Sequence, residues 1–142
     1  MSGTQTCEID PAALEKLRQF RFKKASKGNA AVVFKIDRQK LLIEEDEEHD
    51  DITLEDLVEE LPENTPRYVI LSYELKHPDG RNSFPLVFIY WSPSTVKAEM
   101  HMLYASAKSY LQVKADVHKT FDIRDADQLT DEWLASKLLP SN

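Results

Sequence analysis

The chain has 142 residues, of which 42% are hydrophobic and 30% charged, with a formal net charge of -7. Its length suits one domain with a single core, and its composition is typical of a globular protein rather than a disordered or membrane-spanning one. The negative charge argues against wholesale binding to a nucleic-acid backbone, because Lys and Arg must neutralise the phosphates there.

Cys7 is the only cysteine. This excludes an intrachain disulfide or a cysteine-based zinc site and favours a reducing compartment such as the cytosol or nucleus. The N-terminus lacks the basic and apolar regions of a secretory signal, and no apolar run approaches the ~20 residues needed to span a bilayer. We therefore expect a soluble intracellular protein with one domain over residues 1–142, in which residues 1–8 are a flexible segment.

The first predicted element is a helix that begins at Asp10-Pro11, where Asp is the N-cap and Pro occupies the first helical position. Two apolar segments follow, Ala30–Ile36 and Arg38–Glu45, and their separation by Asp37 predicts a β-hairpin. The acidic run Glu44–Asp51 cannot be core. We expect it to be a solvated strand end and loop, with charge steering of a basic partner as the alternative.

Thr53 with Asp56 resembles a capping box and predicts a short helix that ends before Pro62. Arg67–Lys76 is apolar nearly throughout and predicts a central strand. The Asp-Gly of the next turn is the strongest hairpin signal in the chain, and Phe84–Trp91 is the predicted partner strand.

The longest predicted helix covers Val96–Lys114, with Ser92–Thr95 as its cap. A short strand over His118–Ile123 and a last helix capped by Thr130 complete the pattern. The order α-β-β-α-β-β-α-β-α predicts an α+β fold with a central mixed sheet of about five strands and helices on both faces.

No catalytic or metal-binding motif is visible. The chain's four histidines fall in four different predicted elements, with no metal-ligand spacing, and no phosphate-binding loop or nucleophile motif occurs. We therefore expect no enzymatic activity, metal or cofactor. An acidic enzyme with a site built from dispersed residues is the alternative from another functional class.

Basic residues are concentrated only between Arg18 and Lys27. This cluster is either a solvated helix end or a binding patch. Within it, Lys23 and Lys24 precede Ser26, a pattern that suits a basophilic kinase and also occurs by chance. Ser2 is a second candidate phosphorylation site.

The long helix has two apolar stripes at about 100° per residue. One contains Met100, Leu103 and Ala107 and should pack on the sheet. The other contains Ala98, Met102, Ala105 and Ser109 on nearly the opposite side. Small residues around an unbranched Met suit a groove in a partner, so this face is either a docking surface or unremarkable surface.

Four segments together resemble the glia maturation factors, a branch of the actin-depolymerising factor/cofilin homology (ADF-H) family. They are CEIDPAALEKLRQFRFKK, LEDLVEELPENTPRYVILSYELKHPDGRNSFPLVFIYWSP, MLYASAK and FDIRDADQLTDEWLASKL. They span most of the chain in the family's order and without large insertions.

The resemblance implies a monomer that binds the actin-related protein 2/3 complex, inhibits its actin nucleation and promotes debranching, with little or no binding to actin itself. The alternative is a cofilin-like protein that binds and severs filaments. The implied location is the cytoplasm, at branched actin networks in cortical patches or at the leading edge, with the nucleus as a second location. No nucleic-acid or membrane partner is expected.

In the severing members two lysines precede the Met of the long helix. The resemblance places Glu99 and His101 at those positions, so it predicts weaker attraction to acidic actin while the apolar plug stays in place. The long-helix residues assigned to partner binding are Lys97, Ala98, Glu99, His101, Met102, Ala105 and Lys108. A second surface is assigned to Arg21, Lys23, Lys24, Asp79, Arg81, Asp131 and Glu132.

Overall fold

A six-stranded sheet lies at the centre of the computed structural model, which describes residues 7–23 and 27–139. The strands are β1 Glu8–Ile9, β2 Asn29–Asp37, β3 Leu42–Ile52, β4 Arg67–Ser72, β5 Leu75–Lys76, β6 Asn82–Ser83, β7 Leu86–Trp91 and β8 Lys119–Ile123. The α-helices are α1 Pro11–Phe22, α2 Leu54–Glu60, α3 Ala98–Ala115 and α4 Asp131–Leu138. None of these helices is long and apolar enough to cross a membrane.

The sheet is mixed, as predicted. Its strand order is β1-β3-β2-β4-β7-β8, in which β1 is parallel to β3 and β7 is parallel to β8, while the other neighbours are antiparallel. The predicted strand Arg67–Lys76 is interrupted: β4 ends at Ser72, and β5 pairs with β6 in a separate two-stranded hairpin around Asp79-Gly80. The sheet has six strands rather than about five because β1 adds to its edge.

Each face of the sheet carries its own core. On one face α1 and α3 cover side chains such as Phe34, Tyr68 and Phe88. On the other face α2 and α4 cover Val69 and Ile89. Successive side chains along the central strands point alternately into the two cores. Both sets are buried, which explains why these strands are apolar nearly throughout. The prediction of helices on both faces is confirmed.

The acidic run Glu44–Asp51 is not a strand end and loop. It lies wholly within β3, whose ladder with β2 reaches from Leu42 to Ile52. The backbone bonds to β2 hold this segment extended despite the low strand propensity of Asp and Glu. On its other side, β1 covers only Leu42 and Ile43.

Regular structure begins nearer the N-terminus than the sequence predicts. Residues 1–6 lie outside the described residues, but Cys7 is only 1% exposed and Glu8 begins β1. The expected flexible segment therefore does not include these two residues, because the parallel pairing with β3 and burial of Cys7 fix them.

Three of the predicted helix caps are confirmed: the side chains of Asp10, Thr53 and Thr130 each accept a hydrogen bond from an amide in the first turn. The predicted cap of α3 is wrong. This helix begins at Ala98, and its N-cap residue Lys97 makes no side-chain capping bond. Thr95 instead donates its hydroxyl to the carbonyl of Glu63, so it ties the loop to a neighbouring segment.

Candidate interaction surfaces

The long helix α3 has one buried and one exposed face. Tyr104, Ala107 and Leu111 are buried against the sheet. Ala98, Met102, Ala105 and Ser109 are exposed, and we call this row the α3 stripe. Met102 is 70% exposed. The two faces therefore lie as the helical periodicity predicts.

Val113 extends the α3 stripe beyond the four residues that the sequence predicts. It is 73% exposed and lies one turn beyond Ser109. From Ala98 to Val113 the stripe is about 22 Å long at 1.5 Å per residue. Its i, i+4 spacing from Ser109 is the sequence signal for this position, but a valine near a helix end is equally compatible with the core.

Hydrogen bonds to the sheet anchor the buried face of α3. The Tyr104 hydroxyl accepts a hydrogen bond from the amide of Ile36 at 2.9 Å, just beyond the end of the β2–β4 ladder. The Tyr68 hydroxyl donates to the carbonyl of Tyr104. Burial raises the pKa of both phenols. These buried bonds fix the rotation of the helix and hence the direction in which the α3 stripe faces.

The charged and titratable side chains at the start of α3 differ in whether they have a bonding partner within the fold. The side chains of Lys97 and Glu99 are exposed and have no hydrogen-bond or ion-pair partner among the described residues. His101 is half-buried, and its Nδ1 lies 3.0 Å from the hydroxyl of the buried Ser92. The imidazole is therefore drawn towards the sheet, whereas the carboxylate of Glu99 reaches solvent.

Lys108 is already engaged within the molecule. Its Nζ lies 2.8 Å from Asp122 of β8 and 5.5 Å from the centre of the Tyr90 ring, and its side chain is 26% exposed. The sequence placed Lys108 beside the α3 stripe but did not indicate this ion pair with the sheet edge. A partner would have to meet Lys108 and Asp122 together.

Two cations of the basic cluster at the end of α1 pair with acids of neighbouring elements. Arg21 pairs with Asp116 at the end of α3, and Lys23 pairs with Asp50 of β3. Lys24, Ser2 and Ser26 lie outside the described residues. Arg21 and Lys23 therefore also connect the end of α1 to α3 and β3.

The remaining predicted residues gather at a different place in the fold. The Tyr73 hydroxyl donates to Asp131 at 2.6 Å, which joins the start of α4 to the segment before β5. Asp79 and Arg81 pair with each other in the β5–β6 hairpin, and Glu132 is exposed in the first turn of α4. Because α4 and α3 pack on opposite faces of the sheet, Asp131 and Glu132 lie away from the α3 stripe.

Comparisons with known proteins agree with this architecture. A family model described as cofilin/tropomyosin-type actin-binding protein matches residues 6–139. The chain is 45% identical over 138 residues to the glia maturation factor of Drosophila melanogaster, covering 97% of this chain and 99% of that protein. It is 46% identical over 132 residues to human glia maturation factor beta, covering 93% of this chain and 92% of that protein.

A similar solved structure shows the same fold. The solution structure of glia maturation factor from Caenorhabditis elegans superimposes with a TM-score of 0.80 at 37% sequence identity. The match covers 97% of this chain and all (100%) of that one.

Proposed function

Because this chain belongs to the glia maturation factor branch of the ADF-H family, we propose that it binds the actin-related protein 2/3 complex, which we call the branching complex. Bound there, it inhibits actin nucleation and promotes the debranching of filaments. The proposed place of action is the branched actin network of the cytoplasm. The action is mechanical, since it requires no bond to be made or broken.

One observation carries the proposal: the α3 stripe is an exposed apolar ridge with an unpaired anion beside it. Met102 projects from a row of small residues, which lets a partner's groove approach the helix backbone closely. Glu99 is free in solvent, and His101 is bonded to Ser92. No cation is therefore presented at the two positions where the severing relatives are expected to carry lysines.

This charge pattern favours one actin-like groove over another. A groove lined by acidic groups would repel Glu99, and an imidazole held by Ser92 cannot reach out as a lysine does. The apolar contact of Met102 is unaffected by this change. The pattern therefore disfavours binding to actin. The groove of an actin-related subunit in the branching complex is the proposed binding site for α3.

Debranching follows from preferential binding. A helix that occupies the groove of an actin-related subunit competes with the first subunit of the daughter filament. Binding the separated state more tightly than the branched state shifts the equilibrium towards separation by the ratio of the two affinities. The surface formed by α4 and the β5–β6 hairpin is the proposed second contact, on the side of the molecule away from α3.

Two binding assays test the proposal. We expect the protein to be retained by the immobilised branching complex and to remain in the supernatant when filamentous actin alone is sedimented. Branch lifetime measured by fluorescence microscopy should shorten as protein is added. Strong sedimentation with actin and no retention by the complex would refute the proposal in favour of the cofilin-like alternative.

The same assays test the charge argument. The double substitution Glu99→Lys, His101→Lys should increase sedimentation with filamentous actin by about tenfold or more, because it restores cations beside the apolar ridge. Replacing the exposed Glu55 and Asn64 by lysine is the matched control, since it adds the same positive charge on and beside α2 without touching α3. Unchanged actin binding in the α3 variant would mean that these two positions do not decide the partner.

A further inference from the structure

Three potential metal ligands converge where β3 passes the end of α2. Glu47 and His49 are two residues apart on β3 and therefore face the same side of the strand. Glu60 is the last residue of α2. One ligand atom from each of the three lies within 4.8 Å of the other two, and His49 Nε2 is 2.8 Å from Glu47 Oε1.

Glu47 and Glu60 lack the basic partners that Asp46, Glu48 and Asp50 of β3 have. Asp46 pairs with Arg67, Glu48 with Lys16 and Asp50 with Lys23. Among the described residues no Lys or Arg lies within ion-pair distance of Glu47 or Glu60, and the imidazole of His49 is the only hydrogen-bond partner of the Glu47 carboxylate. The trio therefore carries excess negative charge that the fold itself does not neutralise.

The end of α2 adds to this excess. Glu59 and Glu60 close a helix that has no basic residue in its last turn, although the carbonyl end of a helix favours cations. A cavity of about 330 Å³ adjoins His49 and Glu60, and no Lys or Arg lines it; its walls are His49, Asp50, Asp51, Ile52, Asp56, Glu59 and Glu60. Acidic residues placed against the helix dipole, beside an anionic cavity with an imidazole in its wall, are the arrangement that a bound cation would stabilise.

We propose that Glu47, His49 and Glu60 form a binding site for a divalent transition-metal ion, with Zn²⁺ as the best-suited cation. An imidazole nitrogen with two carboxylates suits Zn²⁺, which takes three protein ligands and water in a tetrahedral shell. Ca²⁺ prefers six to eight oxygen ligands and gains nothing from the imidazole. Ligands on one tetrahedral Zn²⁺ are about 3.3 Å apart, so a small inward movement of the exposed Glu60 completes the set.

Isothermal titration of the full-length chain with ZnCl₂ tests the site. We expect one Zn²⁺ per chain, and at least tenfold weaker binding after His49→Ala or Glu60→Gln. His118→Ala is the matched control, because His118 is 89% exposed and also lies beside a carboxylate, that of Asp116. This variant should bind as the unsubstituted chain does. Glu60→Gln changes one exposed group at a helix end, so it keeps the test valid if His49→Ala folds poorly.

A direct measurement identifies the ligand. In a two-dimensional NMR spectrum of the imidazole nitrogens, one equivalent of Zn²⁺ should shift the Nε2 resonance of His49 and leave those of the other histidines in place. The proposal is overturned if no Zn²⁺ binds, if His49→Ala binds it equally well, if His118→Ala abolishes binding, or if Ca²⁺ binds more tightly than Zn²⁺. The site lies on β3 and α2, away from α3, so its test is independent of binding to the branching complex.

Discussion

Met102 is the single residue on which the proposed interaction depends most. Its side chain is 70% exposed and makes little contribution to either core. A contact residue that fills a partner's pocket typically contributes far more to binding than to folding. Binding and stability should therefore respond very differently when this residue is changed.

We expect Met102→Asp to weaken retention by the branching complex by at least about tenfold, equivalent to about 1.4 kcal/mol. The Tm should change by no more than about 3 °C, because exposed helix substitutions cost under about 1 kcal/mol. Titration of labelled protein against the complex and thermal unfolding by circular dichroism measure the two effects.

Leu14→Asp is the control for this change. Leu14 is 42% exposed on α1, outside the α3 stripe, so its substitution should leave binding unaltered. A large loss of stability in Met102→Asp would instead place Met102 in the folded core. Equal loss of binding in both variants would mean that added negative charge, rather than loss of the Met, is responsible.

The sequence was sufficient to predict which residues of α3 face solvent, because helical periodicity is local information. It was not sufficient for Lys108, whose partner Asp122 is 14 residues away in another element. The sequence also does not indicate the ion pairs of Arg21 and Lys23, because these residues reach Asp116 and Asp50 only when α1 packs against α3 and β3. Their charge was visible in the sequence, but the neutralisation was not.

At the scale of elements, α3 is held to the sheet by the phenol of Tyr104. This hydroxyl is the hydrogen-bond acceptor for the amide of Ile36, which lies beyond the last residue that β4 pairs with. Removing the hydroxyl leaves a buried N–H without a partner, and such a group costs about 1–3 kcal/mol.

Tyr104→Phe should therefore lower the free energy of unfolding by about 1–3 kcal/mol with no change in the slope against urea. Binding to the branching complex at a temperature where the variant is folded should be nearly retained. Tyr110→Phe is the comparison, since Tyr110 is only half-buried and packs against Lys114. If both variants lose the same free energy of unfolding, the hydrogen bond to Ile36 does not contribute specifically to stability.

Elements with local signals were predicted best. The caps at Asp10, Thr53 and Thr130 depend on residues within the first helical turn, which adjoin them in sequence. The extent of β3 depends instead on β2 and on cations from α1 and β4, and no local pattern in an acidic run indicates such pairing. The same reason accounts for the convergence of Glu60 on Glu47 and His49, since α2 returns to β3 only in the folded chain.

For the whole molecule, buried phenols make stability sensitive to high pH. Burial raises the pKa of Tyr68, Tyr73, Tyr90 and Tyr104 above the ordinary value, and the Asp131 carboxylate that accepts from Tyr73 adds to the effect there. A phenol with a raised pKa in the folded state contributes its full stability below the unfolded-state pKa near 10. That contribution falls as the pH rises towards the folded-state value, because the unfolded chain loses its protons first.

We therefore expect the free energy of unfolding to decline above about pH 10, by up to about 1.4 kcal/mol per pH unit for each buried phenol. Urea unfolding at a series of pH values, with phenolate absorbance at 295 nm recorded in parallel, measures this decline. Ionisation of the buried phenols should coincide with loss of the circular dichroism signal. Full ionisation near pH 10 in a still-folded protein would contradict the expectation.

The unpaired side of β3 has a consequence for how these molecules behave when crowded together. Among the described residues, no strand pairs with the outer backbone of β3 beyond Leu42 and Ile43, and an open strand edge is a template on which another chain can assemble. The acidic run lies along that edge, so a second copy of the chain that paired with it would place negative charges next to one another, and these would repel. We therefore expect the acidic run to disfavour assembly of the chain on itself, a property that suits a protein proposed to act on actin filaments.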